Sequence, residues 1–188
     1  ATTAGSVPEG VTPTLDMFLS PVFRGYFSYG GVCIRPEIED CFHNTKFLGL
    51  VRDYWKAAYA EPEGMLFNIQ GPCAGAGAPH VDATRFRGMG LDNTPIWLMN
   101  TMTKSGLFKR WQARKAQVVT WYYLGSVGGG FVYWPDGPHA QPRVLEAPMW
   151  GRAAVVENEM MYHTAQTNGP AAMRKPAGLA LDSVMEAD

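Results

Sequence analysis

Histidine and cysteine are scarce in this chain, with four of the first and three of the second among 188 residues. The cysteines, Cys33, Cys41 and Cys73, are odd in number and never spaced as C-x-x-C. That argues against a disulfide framework and against a thiolate zinc site. A reducing cytoplasm is the simplest compartment for such a chain. No apolar run approaches the ~20 residues needed to cross a bilayer. Residues 1–6 lack the basic and apolar regions of a signal peptide. Charge is also sparse, at 18% of residues, and it is balanced, with 16 basic and 17 acidic side chains. With no basic surplus, neither nucleic acid nor an anionic membrane surface is an expected partner.

Apolar residues are well represented, at 46% of the chain. This is the composition of a folded globular protein, and its length suits one domain, residues 1–188. A chain of this size buries roughly 70% of its unfolded surface, enough for a real core. Three stretches are expected: a flexible lead-in over 1–12, a mostly helical front over 13–64 and a β core over 65–188. In the front, Phe47, Leu50, Val51, Tyr54, Trp55 and Ala58 recur on one face of a helix over 45–60. Glu61-Pro62-Glu63-Gly64 stops it.

A strand is expected over 65–70, then a small-residue loop that ends at His80. Residues 94–111 read as a short helix and an irregular stretch. Further strands are expected over 118–124, rich in β-branched and aromatic residues, and over 131–134, 143–147 and 152–157. Turns over 125–130 and 135–138 separate the first three. Short strands at this spacing argue for an antiparallel sandwich or barrel. The fold class is therefore α+β, with the helices packed outside the β core.

His80 and Asp82 form an H-x-D pair. In a strand, residues two apart share a face, so both side chains can reach one point. An imidazole and a carboxylate that converge make half of a metal site. A second imidazole would complete a facial triad that leaves coordination positions open, an arrangement suited to Fe(II) and O2. His163 is the candidate, because it follows a strand and a turn and lies several strands downstream. His139 follows Asp136-Gly137-Pro138 and reads as a solvated loop residue, and His43 reads as structural.

Pro79-His80-Val81-Asp82, the Gly-Gly-Gly-Phe turn before 131–134, and the run from Gly151 to His163 resemble the Fe(II)/2-oxoglutarate-dependent dioxygenase superfamily. The resemblance covers about residues 65–181. It implies a double-stranded β-helix, or jelly-roll, of two facing sheets. It implies that His80, Asp82 and His163 hold iron, and that 2-oxoglutarate and O2 are co-substrates. A basic residue shortly after the last histidine pairs with the far carboxylate of 2-oxoglutarate in that family, and Arg174 stands there, beside Lys175. Asn68 is a further candidate for the co-substrate. The activity implied is oxidation of a small molecule by hydroxylation, desaturation or ring formation. Halogenases of the family carry Ala or Gly where this chain has Asp82, so halogenation is not expected. One departure is that the chain ends soon after Arg174, which leaves the last sheet strand short or missing.

Arg85 and Arg87 follow the metal pair and could grip a substrate carboxylate, since a guanidinium matches carboxylate geometry. Their alternative is an ordinary surface position. Trp121, Tyr123, Tyr133 and Trp134 could line a pocket, although aromatics in a β core are mostly packing. Two other readings fit the same pattern. One is a cupin-type metal enzyme that does not use 2-oxoglutarate. The other is a non-catalytic binding domain on a jelly-roll scaffold.

Overall fold

The computed structural model describes residue 10 and residues 22–73, 78–90 and 93–174. The lead-in expected over 1–12 lies almost wholly outside the described residues, as do Lys175 and the end of the chain. The described elements mix a few helices with antiparallel sheets, and the sheets do not close into a barrel. No helix among the described residues is long and apolar enough to cross a membrane.

The front differs from the mostly helical expectation. Val22–Tyr29 forms strand β1, which turns through Gly30 and Gly31 into β2, Val32–Cys33. The register pairs Tyr29 with Val32, so the two glycines are the whole loop. Their φ values of 58° and 82° are those a tight hairpin turn demands and that only glycine adopts freely. Aromatic residues at Phe23, Tyr26, Phe27 and Tyr29 favour extended chain. β1 also pairs antiparallel with β3, Met65–Gln70, the strand expected there.

Two helices lie between these strands. α1 is a single turn, Glu39–Phe42. α2 spans Thr45–Trp55. It starts where Asn44 accepts hydrogen bonds from the backbone of Lys46 and Phe47. It ends five residues short of the expected limit, because Lys56 turns left-handed at φ 50° and caps it there. α2 rests on β4 and β7, Gln117–Trp121 and Arg152–Val156, so this helix does pack outside the strands. The short helix expected in the middle is α3, Ile96–Ser105. Its Met99 and Met102 bury against Phe86.

The β core contains two sheets. β4 and β7 pair antiparallel from Gln117–Val156 to Trp121–Arg152. β5, Phe131–Trp134, lies between β6, Arg143–Leu145, and β8, Tyr162–Ala165. Trp121 of β4 meets Phe131 of β5 at a ring separation of 5.6 Å, which joins the two sheets. β4 stops at Trp121, short of the expected 124, and Tyr122 and Leu124 point into solvent. Gly128 lies against the Thr167 carbonyl, where a Cβ would collide, so the turn before β5 can pass there only with glycine.

Candidate metal centre

The outer edge of β8 carries the site. Residues 73 and 80 lie along it in antiparallel pairing, Cys73 with Asn168 and His80 with His163. The His80 N–H donates to the His163 carbonyl at 3.1 Å, and the His163 N–H donates to the His80 carbonyl at 3.0 Å. The two imidazoles are thereby held side by side, with ring centres 4.6 Å apart.

Asp82 joins them by a route other than the expected strand alternation, because residues 81–85 are irregular chain. Its N–H donates to the Asn158 carbonyl at 2.8 Å. Two residues on, the Thr84 hydroxyl donates to the Glu159 carbonyl at 3.2 Å and the Arg85 N–H donates to the Glu159 carboxylate at 3.3 Å. The segment after His80 is thus fixed along residues 158–159, and the Asp82 carboxylate faces the imidazoles.

The result is a group of three potential ligand atoms, one from each residue, all within 4.8 Å of one another. Asp82 Oδ1 lies 3.8 Å from His80 Nε2 and 3.8 Å from His163 Nε2. Ligands bonded to one ion at roughly 2.1 Å sit about 3–3.5 Å apart. The observed spacings from Asp82 are wider than this. These three residues could hold a metal ion.

The chemistry of the donor set agrees with that use. Each Nδ1 faces a backbone carbonyl, His80 that of Ala78 at 2.9 Å and His163 that of Met161 at 3.0 Å. A carbonyl only accepts, so each Nδ1 bears the proton and each Nε2 offers a lone pair to the shared point. His163 is buried and His80 is exposed. Burial pushes the His163 pKa below its ordinary value, with His80 acting in the same direction and the Met161 carbonyl and Asp82 opposing. The imidazole is therefore neutral, the form a metal requires. The exposed side of His80 leaves the site open to an incoming molecule.

Two residues that the sequence did not single out complete the site. Gln117, the first residue of β4, donates from Nε2 to Asp82 Oδ2 at 2.7 Å. Asn158 donates from Nδ2 to Gln117 Oε1 at 2.8 Å. The available signal was the position of Gln117 at a strand start in a β core, which is too common to distinguish it.

The other candidates make contacts of their own. Asn68 is exposed on β3, and its Oδ1 accepts from Arg24 Nε at 2.9 Å. Arg85 forms an ion pair with Glu63. Glu63 also meets Lys115, which in turn lies 2.9 Å from the buried carboxylate of Glu159. That last contact is an ion pair and not a directed hydrogen bond. Arg87 is exposed, with its N–H on the Trp111 carbonyl. Arg174 follows a 3-10 turn, Ala171–Met173, and not a strand, and its Nε donates to the Gly169 carbonyl at 2.9 Å. His139 is exposed in the turn after β5, and His43 caps α1 beside Phe42. Neither belongs to the metal group.

No protein-family model matches this chain, and neither does any curated protein or solved structure.

Proposed function

We propose that the protein is a non-haem iron oxygenase that uses 2-oxoglutarate and O2 to oxidise a small molecule. The observation that carries this reading is the convergence of His80, Asp82 and His163, two imidazoles and one carboxylate, on a point that remains open on the His80 side. A facial set of this kind leaves room for a bidentate co-substrate and O2 together. Two antiparallel sheets joined through Trp121 and Phe131, with the site on one sheet edge, suit a jelly-roll scaffold.

Iron bound with 2-oxoglutarate and O2 supplies the oxidising power. The chain's own residues bind and orient. His80 and His163 offer Nε2 because backbone carbonyls hold their Nδ1 protons. Asp82 offers Oδ1 because Oδ2 is occupied by Gln117. Phe131 packs against the His163 ring, with ring centres 5.6 Å apart, and helps to hold it in place. Arg174 is the residue assigned to the far carboxylate of 2-oxoglutarate, since a buried carboxylate needs a fixed cation.

The test is Fe(II)-dependent release of succinate from 2-oxoglutarate under air, measured by mass spectrometry with and without a chelator. Succinate that appears only with Fe(II) supports the proposal. Metal binding without succinate favours a cupin-type enzyme, and no metal binding at all favours a binding domain.

A further inference from the structure

We propose that Gln117 and Asn158 act as a clamp that restricts Asp82 to a single metal bond and so keeps the opposite coordination positions open. The inference rests on the metal-centre reading of His80, Asp82 and His163.

The hydrogen bonds in this group run in one self-consistent direction. An ionised carboxylate only accepts, so the Gln117 group 2.7 Å from Asp82 Oδ2 is its NH2. The Gln117 carbonyl oxygen then faces Asn158, which must present its own NH2 at 2.8 Å. Asn158 is buried, and its backbone carbonyl takes the Asp82 N–H directly while its side chain reaches the carboxylate only through Gln117. Its side-chain Oδ1 is buried without a hydrogen-bond partner. A buried amide oxygen left unsatisfied costs stability. Its position is explained if the NH2 of the same amide is needed to orient Gln117.

The clamp divides the two carboxylate oxygens. Oδ1 lies equally far, 3.8 Å, from both Nε2 atoms. Oδ2 is turned away and carries the Gln117 bond. A carboxylate without this bond is free to swing and bind an ion through both oxygens, which would fill a position that a co-substrate requires. Gln117 and Asn158 act through Asp82 and are positioning residues.

The experiment adds Co(II) to the wild-type chain, Gln117→Met and Asn158→Asp, with His139→Ala, outside the metal group, as a control. Affinity is read by calorimetry, coordination by the visible Co(II) spectrum, and folding by thermal melting. Gln117→Met keeps the length of the side chain and removes the donor. Asn158→Asp keeps the shape and replaces a donor by an acceptor. The Gln117 amide must then turn over and present its oxygen to Asp82. Both variants should lose roughly 10- to 100-fold in Co(II) affinity. Both should show an altered Co(II) spectrum, while His139→Ala matches wild type. A purely structural role would lower the melting temperature and leave the spectrum unchanged, which overturns the clamp. Wild-type affinity and spectrum in both variants also overturn it and leave the metal centre standing. Absence of Co(II) binding by the wild-type chain would remove the metal centre and the clamp together. If one substitution unfolds the chain, the other decides.

Discussion

His80 and His163 exchange backbone hydrogen bonds across an antiparallel bridge, at 3.1 and 3.0 Å, although most of the β core lies between them in sequence. The main chain, not the side chains, therefore brings the two imidazoles together. Since β8 is held on its other edge by β5, His163 is anchored from both sides. The bridge to β8 fixes His80 better than a free loop would.

Arg85 and Arg87 separate by substitution. Arg85 is tied to Glu63 inside a network that includes Lys115 and Glu159. Arg85→Ala is expected to destabilise the fold by up to about 1 kcal/mol, the range for partly exposed ion pairs. Arg87→Ala should stay within about 0.5 kcal/mol of wild type, as exposed positions usually do. Denaturant melts of the two variants test this. If Arg87 is the substrate anchor, its variant loses substrate affinity while its stability is kept. An equal stability loss in both variants would contradict the ion-pair account.

Arg174 and Lys175 form the second comparison. Arg174→Ala should weaken 2-oxoglutarate binding by about 2–5 kcal/mol, the cost of leaving one buried charge without its partner. Metal affinity should be kept, and Lys175→Ala should have little effect. A normal Michaelis constant for 2-oxoglutarate in Arg174→Ala, with a raised one in Lys175→Ala, would move the role by one residue.

Glu157 gives a pH signature. Burial raises its pKa, the nearby Glu159 carboxylate adds to the rise, and Lys109 opposes it. A carboxyl whose folded pKa is raised binds more protons in the folded state than in the unfolded one. Stability should therefore increase as pH falls through the folded pKa towards the ordinary value of 4.5. Glu157→Gln removes the charge and should raise the melting temperature at pH 7. The difference from wild type should shrink towards pH 4. A constant difference across that range would show that Glu157 is not the group responsible.

Much of the β core was readable from residue type. β3 and β5 fall where strands were expected from runs that end in turn residues, and β7 starts at Arg152 as expected. The triad was readable because H-x-D and a late histidine are few enough to enumerate in a chain with four histidines. β1 was missed although its signal was present, in an aromatic run followed by Gly30-Gly31 and Val32. The end of α2 was misplaced because the apolar period continues to Ala58, whereas Lys56 already leaves the helix. The route that brings Asp82 to the imidazoles depends on Asn158 and Glu159, far along the chain, and no local pattern encodes it. Gln117 was silent for the same reason, since its partner lies on another segment.

The most direct test of the account is anaerobic Fe(II) titration of the wild-type chain beside His80→Ala, Asp82→Ala and His163→Ala, with circular dichroism to confirm folding. The account predicts one Fe(II) per wild-type chain and loss of that binding in each of the three folded variants. Wild-type protein that takes up no Fe(II), or folded triad variants that bind it as tightly as wild type, would contradict it.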